Sequence, residues 1–320
     1  MSTDKVEPAS RHTPLREGTE FDLVRRMLNR WSGTAYAIGD DAAVLDSGAL
    51  ASLVVSTDVS VENVHFRPGW LTPKEIGYRA TAAALSDLAA MAAEPLGILV
   101  ALILPGGWRD RLDEIADGIG EAADRSSTRI LGGDLSDGRD LSLAITVLGN
   151  AAGPLRRNGA RAGDRVYVTG KLGGPGAALL ALTSEQTPSL DDRVRFAHPI
   201  PRIREPLWLA AHGAGSAIDI SDGLAADLSH LAVASGVSIS ISLDRIPVMD
   251  GVSAKDAAGS GEEYELAVTS RAALDTRAFS REFGLPLTEI GAVETGRPVV
   301  RVFDHGAPVP TPTGHLHFKP

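Results

Sequence analysis

Five segments place an aspartate beside Gly, Ser or Thr where the local pattern changes abruptly: Gly39-Asp40-Asp41, Ser56-Thr57-Asp58, Leu85-Ser86-Asp87, Gly132-Gly133-Asp134 and Asp219-Ile220-Ser221-Asp222-Gly223. Carboxylates brought together repel unless a cation sits among them, and hard divalent ions such as Mg²⁺ take oxygen ligands and bridge phosphates. This vocabulary points to a site that holds several metal ions and acts on phosphate. The same residue types also make turns and helix N-caps, because a short side-chain oxygen satisfies a free backbone N–H. A single such segment reads as a turn; five in one chain favour the metal site.

Elements must carry these residues to one place. A loosely attached lead is expected over 1–20, then a helix over 21–28, whose apolar positions recur at helical spacing. A strand over 52–57 runs into Asp58, which would put that carboxylate at the strand's C-terminal end. An Ala- and Leu-rich stretch, 75–93, reads as a closely packed helix with Asp87 between Leu85 and Leu88. Unless it faces solvent, a carboxylate there needs a cation, a metal or a proton.

A strand over 96–104 stops at Pro105, an amphipathic helix follows over 108–126, and Arg129-Ile130-Leu131 leads into Gly132-Gly133-Asp134 before a strand over 141–149. Gly153, Pro154, Gly159 and Gly163, clustered with Arg156, Arg157 and Arg161, mark a boundary. The expected organisation is a lead over 1–20, an N-terminal domain over 21–152 and a C-terminal domain over 153–320. Beyond the boundary, a strand over 165–169 enters the Gly-rich turn 170–174 and an Ala/Leu helix. Backbone N–H groups in such a turn can receive a phosphate, although the spacing matches neither GxxxxGK[ST] nor GxGxxG. A helix over 202–212, a strand into Asp219 and a helix from Gly223 follow, with Ser221 or Asp222 as its N-cap. Strands are expected over 237–243 and 264–269. Strands alternating with helices make this a two-domain α/β or α+β protein.

The 320 residues suffice for two domains with cores of their own. With 43% hydrophobic and 22% charged residues the chain is globular, and its 5% aromatic content implies a core of small side chains. A net charge of −10 argues against nucleic acid or an anionic membrane as partner, since those contacts rely on Lys and Arg. With no cysteine, thiolate catalysis and sulfur-ligated metals are excluded. The N-terminal residues lack an apolar core of the signal-peptide kind and no long apolar run occurs, so a cytoplasmic location is expected.

The ordered segments resemble the thiamine-monophosphate kinase family, within the aminoimidazole-ribonucleotide-synthetase-like superfamily. The resemblance rests on Ile38-Gly39-Asp40-Asp41-Ala42-Ala43, Ser56-Thr57-Asp58 with Val64-His65-Phe66, Leu85 through Met91, Gly132-Gly133-Asp134, Arg157 through Asp164, Asp219 through Leu224, and Gly261-Glu262-Glu263-Tyr264-Glu265-Leu266. It implies ATP-dependent phosphorylation of thiamine monophosphate to thiamine diphosphate with Mg²⁺, in a homodimer whose N-terminal domains build a shared β-barrel. By similarity Asp41, Asp58, Asp87, Asp134 and Asp219 are metal carboxylates, with Ser56 and Thr57 adding oxygens and Asp222 holding a further ion. Gly133, Asp134, Arg157 and Ser221 match nucleotide-contacting positions. His65 and Glu263 match the thiamine phosphate pocket, and His315 stands where an aromatic could stack on the pyrimidine.

Joining two phosphates brings an anion to an anion, so metal ions neutralise the largest barrier and hold the groups in line. The acceptor phosphate is already nucleophilic near neutral pH, and direct transfer needs no catalytic base or phospho-enzyme. Departures from the family pattern fall at Ser260, where Gly is usual, at Glu263, where Asp is usual, and at Arg125 to Ser127, where a Tyr often lies. The competing readings are another ATP-using enzyme of the superfamily and a non-catalytic metal- or nucleotide-binding relative.

Overall fold

The computed structural model describes residues 13–18, 21, 22, 24, 25, 39–45 and 51–315. Most of the lead expected over 1–20 and half of the helix expected over 21–28 lie outside the described residues.

The first half contains β1 (Ala43–Leu45), β2 (Ser52–Val61), α1 (Pro73–Ala90), β3 (Glu94–Ile103), α2 (Leu112–Arg125), β4 (Ile130–Ser136) and β5 (Ser142–Ala151). Its sheet runs β1-β2-β5-β3-β4, antiparallel except for the β3–β4 pair. The inner face buries Leu143, Ile145 and Val147 of β5 against α1 and α2. Helix α1 starts at a capping box, in which Thr72 Oγ1 accepts the Glu75 N–H and Glu75 Oε2 accepts the Thr72 N–H, with Pro73 in the first turn. The two helices approach so closely that a Cβ on Gly118 would stand 1.9 Å from the Lys74 carbonyl. The small residues expected to permit tight helix packing therefore do so here.

The second half contains β6 (Arg165–Thr169), α3 (Gly174–Thr183), α4 (Leu190–Ala197), α5 (Glu205–Ala211), β7 (Ala214–Asp219), α6 (Leu224–Ser235), β8 (Ser238–Ser242), α7 (Ala254–Gly259), β9 (Leu266–Ser270), α8 (Thr276–Phe283), β10 (Leu287–Glu294), β11 (Val300–Asp304) and β12 (Ala307–Val309). Its sheet runs β12-β11-β8-β10-β6-β9-β7, with Asp219 ending the edge strand. The result is a mixed α/β fold in two domains with one mixed sheet each. Neither sheet closes into a barrel among the described residues.

Two local expectations need correction. Strand β2 continues past Asp58 to Val61, because Val59 and Val61 pair with Ala144 and Ser142 of β5. Asp58 therefore lies within the strand, and alternation puts Thr57 on the opposite face from Ser56 and Asp58. Helix α6 has Gly223, not Ser221 or Asp222, at its N-cap. The amides of Ser221, Asp222 and Gly223 are instead all accepted by Asp227 Oδ2, at 3.1, 3.2 and 3.0 Å, from within the helix.

Candidate active site

Asp41, Asp87 and Asp219 come from the segment before β1, from α1 and from the end of β7, and offer carboxylate oxygens within 4.8 Å of one another. Each has a hydrogen-bonding neighbour that fixes it. Ser56 Oγ on β2 donates to Asp87 Oδ2, and Ser86 Oγ on α1 donates to Asp219 Oδ2 at 2.7 Å. Arg157 grips Asp41 with both ends of its fork, Nε at 2.9 Å and Nη2 at 2.7 Å, while its backbone N–H donates to Asp40 Oδ1 at 2.7 Å. The planar guanidinium suits this two-point hold, which a lysine could not reproduce.

The electrostatics follow from that crowding. Burial, and then the charges of Asp219, Asp58 and Asp41, push the Asp87 carboxyl well above the usual range. Burial and the charge of Asp41 push Asp219 up to about 8, against the opposing effects of the Ser86 hydroxyl and Arg157. Burial works against charge on Arg157, yet Asp41, with Asp219 and Asp40, raises its pKa and keeps it cationic. One guanidinium thus faces several carboxylates, and without a further cation some of them hold protons. Hard oxygen donors at this spacing fit Mg²⁺.

Asp87 and Asp219 open onto a cavity of about 620 Å³ between the two halves, with Asp41 enclosed beside them. Asp58, Asp87, Arg157, Asp219, Ser221 and Asp222 line it together with His65, Trp70, Glu262, Tyr264 and His315. His65 Nδ1 accepts the Val61 N–H at 3.1 Å, which places the ring proton on Nε2. The His315 N–H donates to the Asp222 carbonyl at 2.8 Å and brings the C-terminal segment onto the site.

Four of the expected residues lie elsewhere. Glu263 is buried away from the cavity, its Oε1 accepting the Gly173 N–H and the Ser260 hydroxyl, both at 2.6 Å. Burial raises its carboxyl to about 7. Ser260 Oγ also accepts the Gly176 N–H at 3.1 Å, so the Gly-rich turn read as a phosphate receiver is occupied by the chain's own side chains. The two departures at 260 and 263 thus meet each other. Thr57 turns outward and shares a 2.8 Å hydrogen bond with Thr146. Gly133 and Asp134 sit on the exposed edge strand β4, separated from Asp58 by β5 and β3, about 14 Å across three strand spacings.

Other cavity residues were not singled out from sequence. Burial and the charges of Asp222 and Asp219 push the Asp227 carboxyl well above its ordinary range. Burial, with Arg157 and Arg16 nearby, lowers His230 to about 2 and keeps it neutral. Their spacing, Asp227 and His230 on one helical face, was the available signal. Glu262 faces the cavity where Glu263 was expected.

Residues 39–151 match the family model of AIR synthase related protein, N-terminal domain, and residues 161–303 that of the C-terminal domain. The chain is similar to the thiamine-monophosphate kinase of Salmonella typhimurium, 34% identical over 93% of this chain and 98% of that protein. Among solved structures, AaThiL complexed with AMPPCP and TMP superposes with a TM-score of 0.80 at 29% identity, covering 93% of this chain and 97% of that one. The thiamine-monophosphate kinase of Stenotrophomonas maltophilia K279a matches with a TM-score of 0.73 at 34% identity, over 92% and 98% of the two chains.

Proposed function

The chain belongs to the thiamine-monophosphate kinase family, and we propose that it transfers the terminal phosphoryl group of ATP directly to the phosphate of thiamine monophosphate, giving thiamine diphosphate and ADP. The observation that carries this reading is the convergence of Asp41, Asp87 and Asp219, the last two of them on a cavity that His65, Glu262 and His315 also line. In the solved relative AaThiL, AMPPCP and TMP are bound together.

Asp41, Asp87 and Asp219, with Asp58, Asp222 and the Ser56 hydroxyl, are the residues that would hold Mg²⁺. The bound ions would offset repulsion between donor and acceptor phosphates and favour an in-line approach. The chain's own residues do the positioning. Arg157 holds Asp41 and turns its remaining donor, Nη1, to the nucleotide phosphates, near Ser221. His65 offers its Nε2 proton to the acceptor phosphate, and His315 lies along the ring system. The acceptor oxygen is ionised near neutral pH and attacks without help from a side-chain base. Glu263 acts at one remove, by fixing the loop that presents Glu262 and Tyr264.

The domains proposed to do this work are 21–152 and 153–320, and the active form is a homodimer. Val59, Leu99 and Ile103 stand exposed on the outer face of the first sheet, where by register they share a side with Thr57 and Asp134. A second copy covering that face would build the shared barrel and bring Thr57, Gly133 and Asp134 into its interface. No helix among the described residues is long and apolar enough to cross a membrane, and use of ATP supports a cytoplasmic location.

The test is an acceptor panel. ADP should appear with thiamine monophosphate and not with thiamine or aminoimidazole ribonucleotide precursors. No ADP with thiamine monophosphate at saturating Mg²⁺ would sink the proposal, and turnover on another acceptor would favour a different enzyme of the superfamily.

A further inference from the structure

Helix α1 carries one buried cation. Arg79 is 4% exposed and lies eight residues before Asp87, a rise of about 12 Å at 1.5 Å per residue. A guanidinium withdrawn from water is strongly unfavourable unless each of its edges finds a partner. Its partners here come from three separate places. Its plane lies over the Phe196 ring at 4.6 Å and Nε donates to the Phe196 carbonyl at 3.0 Å, at the end of α4. Nη1 reaches the His65 carbonyl at 3.5 Å, in the turn after β2. Nη2 pairs with Glu262 Oε2, in the loop before β9.

The Glu262 loop does not hold its shape by backbone preference. Glu262 and Tyr264 have φ of 63° or less, at 60° and 51°, in the left-handed region that disfavours residues with a Cβ by about 1–2 kcal/mol each. That alternation sends Glu262 and Tyr264 into the cavity and Glu263 the other way. The loop is tied by the Glu262 N–H to the Ser221 carbonyl at 2.7 Å, by the Tyr264 N–H to the Ile220 carbonyl at 2.9 Å, and by the Arg79 pair. The His65 turn includes the left-handed Asn63, whose N–H donates to the Phe66 carbonyl at 2.6 Å.

We propose that Arg79 is a positioning residue that clamps the His65 turn and the Glu262 loop together, one from each domain, and sets both at a fixed separation from Asp87 on the same helix. An acceptor held between the two loops then presents its phosphate to the carboxylates that line the same cavity. The identity of that acceptor rests on the kinase reading above; the clamp itself does not.

Hydrogen exchange on the full chain tests the clamp without turnover. In Arg79→Met, the amides of Asn63, His65, Glu262 and Tyr264 should all exchange at least about tenfold faster, while those around Asp87 in α1 keep their protection. Arg79→Lys, which keeps charge but not the fork, should fall between. Glu262→Gln changes only a cavity-facing group and serves if Arg79→Met fails to fold; it should speed exchange in the His65 turn, across Arg79 from the substitution. Loosening confined to one loop, or spread evenly over the protein, overturns the clamp.

The same variants, assayed for phosphotransfer, should raise KM for thiamine monophosphate by about tenfold or more with less than about threefold change in KM for ATP. A role limited to stability would lower the active fraction and leave that ratio alone, which also overturns the proposal. Coupled loosening in a protein that does not phosphorylate thiamine monophosphate leaves the clamp and removes the kinase reading. Turnover with uncoupled loops does the reverse.

Discussion

Mg²⁺ should stabilise this protein more at high pH than at low pH, by an amount set largely by Asp219. Its carboxyl is pushed up to about 8 in the folded chain, against an ordinary value of 3.8, by burial and by the charge of Asp41. A raised pKa means that the metal-free folded state binds more protons than the unfolded state throughout that window. Stability is therefore fully present below the lower value and is lost as pH rises, by about 1.4 kcal/mol per unit for one group. Between pH 6 and 8 the loss is about 2 kcal/mol, because the slope halves as the pH reaches the folded value, or roughly 3–4 °C in Tm for a chain of this size. Asp87 pushes in the same direction. Ionised carboxylates are what the metal needs, so saturating Mg²⁺ should restore the lost stability. The assay is thermal melting with EDTA or with Mg²⁺ across pH 5.5 to 8.5, on wild type and on Asp219→Asn, whose amide cannot ionise. Metal-free Asp219→Asn should melt above wild type at pH 8 and gain little from Mg²⁺. An equal Mg²⁺ increment in wild type at pH 6 and pH 8, or a metal-free Asp219→Asn that melts lower than wild type at pH 8, refutes the reasoning.

Arg157→Met leaves buried Asp41 without its two hydrogen bonds and should cost about 3–5 kcal/mol of stability and at least a hundredfold in kcat/KM, read by denaturant titration and steady-state kinetics. Ser86→Ala removes the donor that holds Asp219 toward its charged form. The acidic limb of the kcat/KM profile should therefore move to higher pH by up to about one unit, and a shift to lower pH would contradict the assignment. Val59→Lys with Leu99→Lys puts two charges on the outer face of the first sheet and should turn a dimer into a monomer in sedimentation, while far-UV circular dichroism stays unchanged. A double variant that remains dimeric would move the interface elsewhere.

Legibility differed by residue for physical reasons. Asp87 stood out because a carboxylate between leucines in an Ala-rich helix conflicts with its surroundings, and Asp219 because it ends an apolar strand. Both belong to the cluster that the structure brings together. Thr57 could not be placed from its neighbours, since its face depends on how far β2 continues past Asp58. Nothing in Glu262-Glu263-Tyr264 announces which glutamate turns inward, because left-handed φ at two non-glycine residues is imposed by the packing around the loop. Arg79 resembled any helical arginine until partners distant in sequence closed over it. The short strands of the second half were recognisable one by one, but the order β12-β11-β8-β10-β6-β9-β7 depends on pairings between remote segments.

The amides at the start of α6 and at the Gly-rich turn before α3 look like ready-made cradles for phosphate. Each is plugged by a carboxylate of the chain itself, Asp227 in the first and Glu263 in the second. A nucleotide would therefore find these backbone donors already taken by side-chain oxygens. On the proposed reading the pull on its phosphates would come from Arg157 and from the cations that the aspartates would hold. The metal would then act as an entry permit as well as a reagent: stripped of divalent ions, the cavity should repel the polyphosphate.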